Sequence, residues 1–177
     1  STQQEVQMGQ QYSTQVNAEL PIVTDPAVQQ YVNALGDSIA KLTNRGDLDW
    51  HFFVVNTDVV NAFALPGGYI YVNRGVIERT EKMDELAGVM GHEIGHVVKR
   101  HSVKQMQQQQ GANVGIALTC VLTHVCDSQA SQAAIQVGGA AVVAKFSRQD
   151  ETEADEEGFN NVIRAGISPQ GLVSFSQ

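Results

Sequence analysis

The sequence has no basic stripe: 11 Lys and Arg stand against 19 Asp and Glu, a net charge of −8. Without clustered cations to neutralise phosphates, the composition argues against a nucleic-acid binder. Its 16 Gly and four Pro do not recur periodically, and 42% of its 177 residues are hydrophobic. Collagen-like, repeat and disordered readings therefore fail. A membrane-spanning run is missing too. Formal charge is absent from 105–126 and from 128–144, but the most apolar part, 111–125, holds Asn113, Thr119, Thr123 and His124. A spanning helix needs about 20 predominantly apolar residues. The 111–144 stretch is instead expected to form a helical hairpin that lies on the domain or makes peripheral contact with a membrane surface.

No Met and no basic-plus-apolar leader precede Ser1, which fits a mature exported protein or a trimmed one. Cysteine is scarce: only Cys120 and Cys126 occur. Six residues rise about 9 Å on one helix, beyond disulfide reach, so a bridge would need a turn between them. Bridged and reduced readings both stay open.

What is present suffices for a single domain, 1–177, with its own core. Val6, Gly9, Tyr12, Val16 and Leu20 have helical spacing, ended by Leu20-Pro21. Asp25-Pro26 reads as a cap and first position of a second helix, with Val28, Tyr31, Val32, Leu35, Ile39 and Leu42 on one side. Residues 50–55, 59–65 and 69–73 read as strands, the last two joined by a Pro66-Gly67-Gly68 turn. Helices are expected over 82–108 and 150–165, with another starting at Ser168-Pro169. The predicted class is α+β, mainly helical around a small sheet.

Within the 82–108 helix stands His92-Glu93-Ile94-Gly95-His96. Imidazoles four residues apart sit about 40° apart on a helix, so His92 and His96 can reach one cation. Histidine nitrogens suit Zn²⁺, and Glu93 beside them can take a proton from water activated by the ion. Gly88, Gly91 and Gly95 line the same region. Each costs roughly 1 kcal/mol of helix stability relative to Ala, so another chain element is expected to approach closely there. His101, about 140° around that helix from His96, is expected to stay out of the site.

A catalytic zinc takes three protein ligands and leaves one position open. The third is sought in the acidic run 150–157. On a helical wheel Glu151 and Asp155 share a face with Ala154, Gly158, Phe159 and Val162, whereas Glu153, Glu156 and Glu157 face water with Asn160 and Arg164. Glu151 is therefore assigned as third ligand, with Glu153 as its rival. Asp155 is assigned as the carboxylate that holds a ligand imidazole in orientation.

The motifs Asn61-Ala62-Phe63-Ala64-Leu65-Pro66-Gly67-Gly68, His92 to His96, Arg100-His101-Ser102, and Phe146-Ser147-Arg148 leading to Glu151-Thr152-Glu153-Ala154-Asp155 follow one another in order. Together they resemble the zinc metallopeptidase family of the CAAX prenyl protease, HtpX and BepA type, from about residue 5 to the end of the chain. The resemblance implies one zinc ion on His92, His96 and Glu151, with Glu93 as the catalytic glutamate and Asp155 as the orienting aspartate. It implies a gluzincin-type minimal fold, with the active-site helix under a small sheet. A His-Pro segment followed by Arg usually comes after the Glu-x-x-Ala-Asp helix, and none occurs before Gln177. Part of the family's substrate cleft or oxyanion stabiliser is therefore expected to be missing from these residues.

Asn61, Ala62, Phe63 and Ala64 correspond to the family's substrate-side strand, where an extended peptide could add to a sheet edge; plain core packing is the competing reading. The resemblance also implies polypeptide substrates, unfolded or membrane-associated, in the periplasm or cell envelope. A lipid anchor before Ser1 stays open. The rival reading is a zinc-containing chaperone or assembly factor with a latent protease site.

Overall fold

The structure is a computed structural model and describes residues 1–108 and 146–176. The expectations for Cys120, Cys126 and the 111–144 hairpin lie outside the described residues. Helix α1 (Thr2–Glu19) starts on a capping box between Ser1 and Gln4 and stops at Leu20, before Pro21. Helix α2 (Pro26–Ala40) is capped by the Asp25 carboxylate, which accepts from the Ala27 amide at 2.9 Å. Strands β1 (His51–Val55), β2 (Ala62–Leu65) and β3 (Tyr69–Asn73) form one mixed sheet in the order β1-β3-β2. β3 pairs parallel with β1 and antiparallel with β2. Gly67 and Gly68 turn the chain between β2 and β3 with φ of 86° and 103°, a region that favours glycine. Helices α3 (Arg74–Arg79), α4 (Met83–Val98), α5 (His101–Gln108), α6 (Arg148–Arg164) and α7 (Gln170–Ser176) follow. The described chain is thus mostly helical with a three-stranded mixed sheet, an α+β arrangement.

Strand alternation splits the core into two layers. Phe52, Val54, Ala64, Ile70 and Val72 pack with Val32, Leu35 and Ile39 of α2 and with Leu86, Met90 and Ile94 of α4. Val55, Phe63, Leu65, Tyr69 and Tyr71 face the other way, onto Val16 of α1. Tyr71 Oη donates to Asn17 Oδ1 at 2.7 Å and shares a 2.7 Å hydrogen bond with Ser13, and burial pushes its phenol well above the usual range. A buried ion pair ties α1 to the end of α4. Arg45 binds both Glu5 oxygens at 2.8 and 3.0 Å and also donates to the Val97 carbonyl at 2.9 Å.

The α4 glycines are where α6 and α7 come in. A Cβ on Gly88 would lie 2.7 Å from Leu172 Cα, one on Gly91 3.0 Å from Val162 Cγ1, and one on Gly95 2.8 Å from the Ala154 carbonyl oxygen. Gly158 of α6 completes the seam: its Cβ would meet the His92 backbone nitrogen at 2.9 Å. In an open helix Gly→Ala stabilises by about 1 kcal/mol. Here the sign should reverse, because α4 and α6 would have to separate. Gly158→Ala is expected to destabilise by about 1–3 kcal/mol, read as a fall in Tm; a rise in Tm would mean the seam is loose.

Several sequence expectations need correction. The helix expected over 82–108 is broken: α4 ends at Val98, Arg100 takes φ 58°, and α5 starts at His101. The 59–65 strand begins only at Ala62, and Val59 and Val60 stay exposed. Tyr31 and Leu42 are about half exposed instead of sharing the buried side of α2. On α6, Phe159 is exposed while Asn161 is fully buried and donates to the Gly91 carbonyl at 3.4 Å. An amide can satisfy a backbone group in the tight α4–α6 seam, where a phenyl ring has no room. Among the described residues no helix is long and apolar enough to cross a membrane.

Candidate metal centre

Two helices meet at this site. α4 presents His92 and His96 one turn apart; the first turns of α6 present Glu151 and Asp155. The close α4–α6 approach across Gly91, Gly95 and Gly158 lets the short acidic side chains reach the imidazoles. His92 Nε2 and His96 Nε2 lie 3.2 Å apart. Glu151 Oε2 is 3.3 Å from His92 Nε2, and Oε1 is 2.9 Å from His96 Nε2. Asp155 Oδ1 is 2.7 Å from His92 Nδ1, close enough for a hydrogen bond but not aligned as one. Glu93 is buried on α4 beside His92. The acidic pair is less enclosed than the helical wheel implied: the Glu151 and Asp155 side chains are 47% and 61% exposed. They face the histidines from the partly exposed first turns of α6.

The donor set fits a metal ion. A tetrahedral ion with bonds of about 2.1 Å spaces its ligand atoms about 3.4 Å apart, close to the separations among these three side chains. His92, His96 and Glu151 each offer one ligand atom, all within 4.8 Å of one another. Protons and a cation compete for the same donor atoms here. Burial opposes the charged form of His92 most strongly, but Glu151, Glu93 and Asp155 outweigh it and raise the imidazole to about 9. In turn, His92 and His96 hold the Glu151 carboxyl far below the usual carboxylate range. A cation would replace these protons as the common partner.

Two residues the sequence reading kept out stand next to the trio. His101 is fully buried, with Nδ1 2.9 Å from His96 Nδ1 and Nε2 2.8 Å from Glu153 Oε1. Bonding to His101 lowers the Glu153 carboxyl. The 140° separation from His96 assumed an unbroken helix, and the left-handed Arg100 removes that premise. Glu153 does sit opposite Glu151 on α6, but the start of α5 meets it on that side. Neither glycine nor proline marks the break. Arg100 is instead placed by long-range partners, donating to Thr2 Oγ1 at 3.1 Å and lying 3.6 Å from Glu5. Phe146 stacks on His96 with ring centroids 4.3 Å apart. Of the predicted substrate strand, Phe63 and Ala64 are buried while Asn61 and Ala62 are half-buried. β2 packs against α4.

Comparison with known proteins gives a family and several relatives. The family model described as peptidase family M48 matches residues 26–176. The chain is 35% identical to the beta-barrel assembly-enhancing protease of Escherichia coli (strain K12), over 97% of this chain and 37% of that protein. It is 36% identical to the Escherichia coli metalloprotease YcaL, over 70% of this chain and 48% of the relative. With the mitochondrial metalloendopeptidase OMA1 of Schizosaccharomyces pombe it shares 30% identity, over 78% of this chain and 40% of the relative. The chain therefore spans less than half the length of these curated relatives. With a family match that takes in both the His-Glu-x-x-His helix and the acidic helix facing it, the chain belongs to peptidase family M48.

Proposed function

We propose that this chain is a zinc-dependent endopeptidase, acting as one metalloprotease domain on unfolded or damaged proteins of the cell envelope. The approach of His92, His96 and Glu151 to within ligand spacing of one another supports this reading most. His92, His96 and Glu151 would hold one Zn²⁺, in a minimal gluzincin arrangement of two histidines from α4 and a carboxylate from α6. When bound, zinc supplies Lewis acidity that polarises the scissile carbonyl and acidifies water. Glu93 accepts the water's proton on its carboxylate and returns it to the leaving amide nitrogen. Asp155 lies against His92 Nδ1 and keeps that ring turned toward the trio. The envelope, periplasmic in particular, is the proposed location. The name of the Escherichia coli relative, a beta-barrel assembly-enhancing protease, supports envelope substrates.

Unfolded casein tests the enzyme reading. Cleavage that stops with a chelator and returns with added zinc is expected; binding without cleavage would favour the latent chaperone reading instead.

β2 is the proposed substrate strand. The Asn73 amide donates to the Asn61 carbonyl at 3.0 Å, and the register sets Phe63 against Tyr71 and Leu65 against Tyr69. Hydrogen-bonded pairs alternate in an antiparallel ladder, so Ala62 and Ala64 direct their main-chain groups away from β3. Among the described residues no strand takes up that edge. An extended peptide can pair there. Ala62→Pro would remove one outward N–H and leave the ladder to β3 intact. It should lower kcat/KM about tenfold, the worth of roughly one main-chain hydrogen bond, with little change in Tm. Equal losses of activity and stability would return β2 to a core role.

A further inference from the structure

We infer that Glu153 and His101 set the proton arrangement of His96, and so keep its Nε2 lone pair turned toward His92 and Glu151. The inference rests on the reading of His92, His96 and Glu151 as a metal trio, but its hydrogen-bond logic begins elsewhere, at Glu153.

His101 is fully buried, so its two ring nitrogens depend on protein partners. Nε2 faces carboxylate oxygens: Glu153 Oε1 at 2.8 Å and Asp150 Oδ1 at 3.6 Å. Ionised carboxylates only accept, so the Nε2 of His101 carries the hydrogen. A neutral imidazole has only one. His101 Nδ1 is then bare and accepts, and the atom facing it at 2.9 Å, His96 Nδ1, must be the donor. Where a cation takes the place of the proton between His96 Nε2 and Glu151 Oε1, 2.9 Å apart, His96 keeps its hydrogen on Nδ1 and turns a bare Nε2 to the Glu151 and His92 side. Glu153 thus fixes a lone pair two rings away. The reverse order would put both protons on His101 and the hydrogen of a neutral His96 on Nε2, where it blocks a cation. Phe146, stacked 4.3 Å from the His96 ring, shields the relay on one side.

The same order bears on a second cluster. His101, Asp150 and Glu153 also bring one potential ligand atom each within 4.8 Å of one another. A cation there would displace the proton from His101 Nε2 onto Nδ1. It would then meet the His96 Nδ1–H head-on across 2.9 Å. Metal at this trio and metal on His96 Nε2 exclude each other, so the two clusters should take one ion between them.

His101 is a positioning residue, and three measurements test it. In the zinc-loaded chain, long-range proton–nitrogen NMR of the imidazoles should find His96 protonated only at Nδ1 and His101 only at Nε2. A proton on His101 Nδ1 would overturn the inference. Zinc affinity, measured by chelator competition, should fall about 10–100-fold in His101→Phe, which fills the space without accepting. His101→Gln should recover most of the loss, since its amide oxygen can accept from His96 while its NH₂ donates to Glu153. Equal losses in the two variants, or none in His101→Phe, would overturn the proton order. Zinc titration of the wild-type chain should fill one ion at these two clusters, and a second ion that disappears in His101→Phe would contradict the exclusion. A wild-type chain that binds no zinc would bring down the metal reading itself. That outcome is distinct from zinc bound with the wrong tautomers.

Discussion

Glu93→Gln is expected to lower peptide-bond cleavage by about 10²–10⁴-fold while the chain keeps its zinc. The substitution preserves shape and hydrogen-bonding capacity but leaves no carboxylate to take a proton. Glu93 is buried on α4 next to His92 and outside the trio that would hold the ion, so binding and catalysis should separate. Turnover of an unfolded substrate and zinc content by elemental analysis, measured on the same sample, check both halves. Undiminished cleavage would remove Glu93 from the chemistry. Lost zinc would make it a ligand.

Glu151→Ala should lower zinc affinity by more than about 100-fold, beyond what loss of an outer hydrogen-bonding partner costs. It removes the carboxylate whose two oxygens lie 3.3 and 2.9 Å from the two imidazole nitrogens. Glu153→Ala is the informative comparison. Glu153 reaches His101 and not the trio, so this variant should still fill to one ion at saturating zinc. Metal analysis of the two proteins side by side decides between them. Zinc kept in Glu151→Ala and lost in Glu153→Ala would transfer the third position to Glu153.

The sequence made those elements legible whose cause is local. Asp25-Pro26, Leu20-Pro21 and the Gly67-Gly68 turn act through neighbouring backbone, and each stands where it was expected. The three α4 glycines announced a close approach, and α6 and α7 supply it. The pairing of His92 and His96 with an acidic helix could be read because both partners lie on regular helices with a fixed angular repeat. What depends on distant contacts was hidden. Arg100 turns left-handed where Thr2 and Glu5 of α1 hold it, and no glycine or proline records this in the sequence. Once α4 breaks there, His101 swings back to His96 and a carboxylate assigned to solvent acquires a buried partner. The helical wheel erred at Glu153 by allowing α6 one protein-facing side, whereas α4 and α5 flank its start on two. Phe159 was misjudged for a related reason: the glycine seam takes the small polar contact of Asn161 and not a ring.

The most direct measurement is an anomalous difference map at the zinc absorption edge from crystals of the loaded chain. A single peak within bonding distance of His92 Nε2, His96 Nε2 and a Glu151 oxygen, with His101 and Glu153 left to each other, is the predicted result. A peak on His101, Asp150 and Glu153 instead, or zinc bound with Glu151 turned away from both imidazoles, would contradict it.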